Sequence, residues 1–206
     1  MSNILGYIFF IITGYLSGSI LFAKFLPLWF CGIDPAALSN DSNPGTFNAF
    51  KYAGKKVGIL VILLELLKGI LPVIIASKFL DTGNILFTLV ITAPVIGHAF
   101  PIFNHFEGGK AIAVSFGVYI GLLPDYHPLL MLIIFYLLFS VVIIIQPHLL
   151  RTVITFAALS ISGFFYFKNT QVIIATVLIS LTVILKHMMK YTKEPVSIRL
   201  FIRKDR

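Results

Sequence analysis

The sequence predicts an all-α polytopic membrane protein with about seven transmembrane helices, and three observations carry that expectation. Of 206 residues, 58% are hydrophobic and 12% charged, with a mean hydropathy of +0.98. Several apolar runs approach the ~20 residues a helix needs to cross a bilayer. Cations gather in alternate connections, as the positive-inside rule requires. A soluble domain has too much surface for its volume to hide this much apolar material. A single domain over 1–206 is expected. Cys31 is the only cysteine, so neither a disulfide framework nor a cysteine metal site is expected, and the residue reads as a small packing group.

The first run, 4–23, has no cation before it; the first is Lys24. It therefore reads as a retained span rather than a cleaved signal. The runs 57–77 and 85–103 follow at full length. The run 111–123 is short for a crossing, and 129–145, 152–167 and 172–185 complete the series, the last two also short. Short runs either extend beyond these bounds or lie where protein surrounds them.

If all seven cross with the N-terminus outside, Lys24, Lys51, Lys55, Lys56, Lys110, Arg151 and seven cations from Lys186 to Arg206 are cytoplasmic. Lys78 and Lys168 remain outside. If 111–123 only dips into the bilayer, every later loop flips and the basic tail lands outside, against the rule. Seven spans with the C-terminus in the cytoplasm are therefore expected. The formal net charge of +8 then serves topology and anionic headgroups. The cations are not laid along one face, so no nucleic-acid partner is expected. No internal repeat at a fixed period is visible.

This topology brings three polar segments to the cytoplasmic side: "DPAALSNDSNPGTFNAFKYAGKK" at 34–56, "GHAFPIFNHFEGGKAIAVSFG" at 97–117, and "LKHMMKYTKE" at 185–194. Polar loops converging on one face make the geometry of a site. In the first, Asn43, Gly45 and Asn48 offer side-chain and backbone donors to an anion, and Lys51 adds charge. In the second, Gly108-Gly109 frees the backbone just before a helix and Lys110 stands at its start, which suits an anion. His98 by itself reads as a core histidine, and His187 as an interfacial residue. Within the second run, Glu65 and Lys68 lie i, i+3 and read as a packing pair turned inward.

Taken in order, "GYLSGSI", "SNPGTFNAFKYAGKK", "ELLKGILPV", "GHAFPIFNHFEGGKA" and, more weakly, "LKHMMK" resemble the bacterial acyl-phosphate:glycerol-3-phosphate acyltransferase family (PlsY). The resemblance implies a seven-span enzyme of the bacterial plasma membrane. It would move an acyl group from acyl phosphate to the 1-hydroxyl of glycerol 3-phosphate, making lysophosphatidic acid for phospholipid synthesis. No metal or other cofactor is implied. The implied partners are the two phosphorylated substrates and the lipid bilayer; no protein partner is indicated.

Carried across by position, the resemblance implies Lys110, His187 and Asn48 as the catalytic set. It implies Ser39, Ser42, Asn43, Gly45, Lys51, Gly108, Gly109 and Lys190 as substrate-binding residues, with Gly97, His98 and Pro101 framing the phosphate loop. The chain departs from the family pattern at several positions. Ser39-Asn40-Asp41-Ser42 replaces Ser-Gly-Ser-Gly, and Thr46-Phe47 replaces Ala-Thr. Lys51 stands for arginine, Glu65 for aspartate, Glu107 for lysine and Lys190 for asparagine. The usual Arg and Glu after the third motif are not recognisable. The changes at 41, 107 and 190 make the site about two charges less positive at neutral pH. Two other readings fit the same spans: a non-catalytic paralogue acting as membrane scaffold or lipid-binding protein, and a small-anion transporter reusing a cationic site.

Overall fold

The computed structural model describes residues 4–39, 42–189 and 195–200. Nine helices carry the described fold: α1 (Ile4–Ser19), α2 (Phe22–Cys31), α3 (Pro35–Leu38), α4 (Thr46–Phe79), α5 (Leu86–Ala99), α6 (Ile112–Gly121), α7 (His127–Leu137), α8 (His148–Tyr166) and α9 (Thr170–Met189). A 3-10 turn, Ile102–Asn104, follows α5, and a π-helical turn, Leu138–Val142, continues α7. The chain is not wholly helical. Strand β1 (Ile143–Gln146) pairs antiparallel with β2 (Ser197–Leu200), with Ile143 opposite Leu200.

The expectation of seven spans is met only in part. Among the described residues, four helices are long and apolar enough to cross a membrane: Thr46–Phe79, Leu86–Asn104, His148–Tyr166 and Thr170–Met189. His148–Tyr166 starts four residues before the expected range 152–167 and ends one residue inside it, and Thr170–Met189 runs past 172–185 at both ends. The expected span 4–23 is instead α1 followed by α2, bent by 40° at the break, and makes a fifth if the pair counts as one. Ile112–Gly121 and His127–Val142 are apolar but shorter. The expected 129–145 segment ends as strand rather than helix.

Helix α5 organises the bundle. Most of its residues are buried, from Phe87 to Ala99, as expected of a helix apolar on every side. It packs against α1 and α9, and more lightly against α4 and α6. Two crossings depend on missing side chains. A Cβ on Gly18 would strike the Pro94 carbonyl, and one on Gly97 the Tyr15 carbonyl, so α1 and α5 meet backbone to backbone. Gly69 of α4 and Gly117 of α6 do the same: a Cβ on either would meet the other helix's backbone. Small residues at such crossings are how apolar helices gain contact where lipid is as apolar as leucine. The outer faces carry large apolar side chains, Leu5 and Phe165 among them, as a lipid-facing surface does.

Local chemistry explains the ends. Asn169 caps α9, its Oδ1 accepting from Gln171 N at 2.9 Å, and Asp34 caps α3 by accepting from Ala36 N at 2.9 Å. Gly54, at φ 83° and ψ 173°, breaks α4 into 46–53 and 55–79. The first piece lies outside the expected span 57–77; the second contains it.

Candidate active site

The site is built on the break between α1 and α2. A chain that leaves helical geometry inside an apolar bundle must find partners for its freed backbone groups. Here a buried ion pair supplies them. Lys68 Nζ donates to the Ile20 carbonyl at 2.6 Å, and Glu65 Oε1 accepts from Ala23 N at 3.3 Å. The two side chains pair at 2.8 Å, i, i+3 on α4 as expected. His98 joins them from α5. Its Nδ1 lies 2.9 Å from Lys68 Nζ and 3.1 Å from Glu65 Oε2. All three residues are buried. His98 is thus a core histidine, and its core is ionic.

His98 in turn seats the glycine loop. Gly109 N donates to the His98 carbonyl at 3.1 Å. A Cβ on Gly109 would run into the imidazole, and one on Gly108 into the His98 carbonyl. The loop reaches this position through a tight reversal: His105 and Phe106 both take the left-handed region, at φ 52° and 62°. Asn104 braces the turn, Nδ2 donating to the Glu107 carbonyl at 2.6 Å, while its Oδ1 accepts from Lys24 Nζ at 2.7 Å. Lys110 follows, partly buried, and Ala111 at φ 59° turns the chain into α6. The residues before a helix start therefore present a lysine and loop backbone together.

The first polar loop meets this one across a cavity. Ser42, Pro44, Asp34, Lys24, Asn104 and Glu107 help line a cavity of about 250 Å³. Behind it the loop is tied to itself. Ser39 Oγ accepts from Asn43 N at 3.0 Å, and Asn48 Nδ2 donates to the Asn43 carbonyl at 2.9 Å. Gly45, extended, leads into α4, and a Cβ there would crowd the Asn43 amide. Asn43 Oδ1 is buried with no hydrogen-bond partner among the described residues. Lys51 stands apart: it is exposed, with its ammonium 4.8 Å over the Tyr52 ring.

The end of α9 packs against the end of α5. His187 is buried, and its Nδ1 sits 2.9 Å from the Val183 carbonyl. That N–H donates there, so in the neutral ring Nε2 is the acceptor. The His148 ring, from the start of α8, stacks on His187 with centroids 5.5 Å apart. Lys186 is also buried, 3% exposed, with its ammonium 4.6 Å over the Phe100 ring. That contact brings α9 against the end of α5 and the glycine loop.

Of the residues singled out in the sequence, Ser42 lines the cavity; Ser39, Asn43, Gly45 and Asn48 lie in the tied loop behind it, and Gly108, Gly109 and Lys110 in the loop that His98 seats. His187 lies on the α9 end. Asp41 and Lys190 lie outside the described residues. Glu107 is exposed and lines the cavity. The sequence reading passed over His148 and counted Lys186 and Arg151 only as topology charges. Lys186 carried one available signal, a lysine directly before His187 and facing the same end of the bundle.

Residues 8–193 match the family model described as glycerol-3-phosphate acyltransferase. The glycerol-3-phosphate acyltransferase of Lawsonia intracellularis is 42% identical over 110 residues, covering 53% of this chain and 54% of that protein. That of Pseudomonas aeruginosa is 43% identical over 113 residues, covering 55% and 59%. The chain thus spans only somewhat more than half the length of these curated relatives. Two crystal structures of PlsY, an integral membrane glycerol 3-phosphate acyltransferase, share the architecture. Its glycerol 3-phosphate form superposes with a TM-score of 0.76 at 28% identity, covering 89% of this chain and 88% of that one. The lysophosphatidic acid form gives 0.73 at 26%, over the same shares.

Proposed function

Because this chain belongs to the glycerol-3-phosphate acyltransferase family, we propose that it acylates the 1-hydroxyl of glycerol 3-phosphate from acyl phosphate, releasing lysophosphatidic acid and inorganic phosphate. The observation that carries this reading is the convergence of three polar segments: the cavity joining 42–44 to 104–107, and the Lys186–Phe100 contact joining α9 to the glycine loop. The reading places the site at the cytoplasmic face of a bacterial plasma membrane. It counts seven crossings by adding the bent α1–α2 pair, α6 and α7 to the four long helices. The N-terminus is outside, and 1–206 acts as one domain.

The chemistry asks little of the protein. Acyl phosphate is already activated, so the protein must hold two anions together and orient one hydroxyl. The hydroxyl oxygen bonds to the carbonyl carbon, the bond from that carbon to the phosphate oxygen breaks, and the hydroxyl proton passes to phosphate. Lys110 and the glycine-loop backbone hold a phosphate and meet the charge that grows on it. Asn48 keeps Asn43 in place, and the buried Asn43 Oδ1 accepts from a substrate hydroxyl. His187 Nε2 accepts from the glycerol hydroxyls. Ser39, Ser42, Gly45 and Lys190 complete the binding walls, and Lys51 supplies charge at the entrance. No cofactor enters the scheme.

The test is phosphate release by the purified protein in lipid, with acyl phosphate supplied with and without glycerol 3-phosphate. Release should depend on glycerol 3-phosphate and fall on the order of 10²- to 10³-fold in Lys110→Ala, the range for losing one charge-stabilising donor. Well-folded protein that releases none would move the scaffold reading to the front. Phosphate flux into proteoliposomes without hydrolysis would favour the transporter.

A further inference from the structure

Lys186 has a buried side chain and no carboxylate partner among the described residues. It is 3% exposed, and among the described residues no acceptor lies within hydrogen-bonding distance. Its contact is the face of Phe100 at 4.6 Å, and the nearest acidic field reaching it is that of Glu107. A ring face offers an ammonium some attraction, less than a charge-assisted hydrogen bond to an anion would. The last turn of a helix does favour a cation, but an exposed lysine would serve that end, and this one turns inward. On the neighbouring helix Arg151, half-buried and one turn along α8 from His148, keeps its Nε buried with no acceptor among the described residues. The His148 ring stacks on that of His187, the residue after Lys186.

We infer that Lys186 is a phosphate-binding residue of this site, its ammonium completed by the phosphate group of a bound substrate. The deduction rests on the acyltransferase reading for the identity of the substrates. The acidic field of Glu107 reaches Lys186 and tempers its charge. Lysine is a point charge on a flexible stem, so it follows phosphate in whichever position the reaction leaves it.

The experiment measures binding with no turnover, in nanodiscs. Glycerol 3-phosphate and a non-hydrolysable acyl phosphonate are titrated separately against the wild type, Lys186→Gln, Lys186→Arg and Glu107→Gln. Lys186→Gln should weaken at least one of the two ligands tenfold or more, and the ligand affected identifies which phosphate it holds. Lys186→Arg should retain part of that affinity, and Glu107→Gln should tighten the same ligand. Lys186→Met, which replaces the unpaired charge by an apolar chain of similar length, should fold at least as stably as the wild type. Equal affinity of wild type and Lys186→Gln for both ligands would overturn the inference, as would a wild type that binds neither. A Lys186-dependent affinity in a protein that transfers no acyl group would instead count against the acyltransferase reading alone.

Discussion

At the scale of single residues, the Glu65–Lys68–His98 cluster is the most consequential feature. Removing one member of a buried ion pair leaves the other uncompensated, which costs about 3–5 kcal/mol. Glu65→Gln should therefore lower stability by roughly 3 kcal/mol in a thermal or denaturant unfolding measurement in lipid. The double variant Glu65→Leu with Lys68→Met removes both charges but strands the Ile20 carbonyl and the Ala23 amide, so it should cost at least as much as either single change. A double variant close to wild-type stability would show that the pair is not the keystone. Gly109→Ala should leave the fold intact but displace the His98 ring, with a loss of turnover comparable to that of Lys110→Ala. The pairing of Glu65 with Lys68 was legible because an i, i+3 spacing fixes two side chains on one helical face. The third partner was not, because His98 arrives from another helix. Lys186 was hidden for a similar reason: in sequence it is one cation among seven near the C-terminus, and only packing turns it inward.

At the scale of elements, the long apolar runs were legible and their interruptions were not. Run length reports whether a helix can cross: 172–185 falls within a helix of 20 residues, and 85–103 and 152–167 each overlap a helix of 19 to within one residue. The break at 20–21 lies inside an unbroken apolar run, so composition carries no mark of it. It exists because Lys68 and Glu65 satisfy the freed Ile20 carbonyl and Ala23 amide from another helix. The glycines are a partial exception: "GYLSGSI" announces small residues, but not that Gly18 faces the Pro94 carbonyl. Adding side-chain bulk to a packed crossing costs about 1–3 kcal/mol. Gly18→Val should reach at least that range, since its Cβ meets backbone that cannot step aside. Unfolding in lipid checks it, and a neutral result would mean that α1 and α5 are not pressed together there.

At the scale of the whole molecule, the orientation and the count of crossings decide where the site faces. Lys168 discriminates. With seven crossings it is outside; if α6 does not cross, it is cytoplasmic. In a background where the exposed Cys31 is replaced by serine, Lys168→Cys should react with a membrane-impermeant maleimide on intact cells and Lys56→Cys should not. The reverse labelling at 168 would remove α6 from the crossings. The central claim is that all these parts serve one transfer reaction, and the product tests it most directly. Purified protein in nanodiscs would be given labelled glycerol 3-phosphate and acyl phosphate, and the lipid extract analysed by mass spectrometry. The account predicts labelled 1-acyl lysophosphatidic acid in proportion to enzyme, absent with Lys110→Ala. Folded protein that consumes acyl phosphate without forming that product, or consumes none, would contradict it.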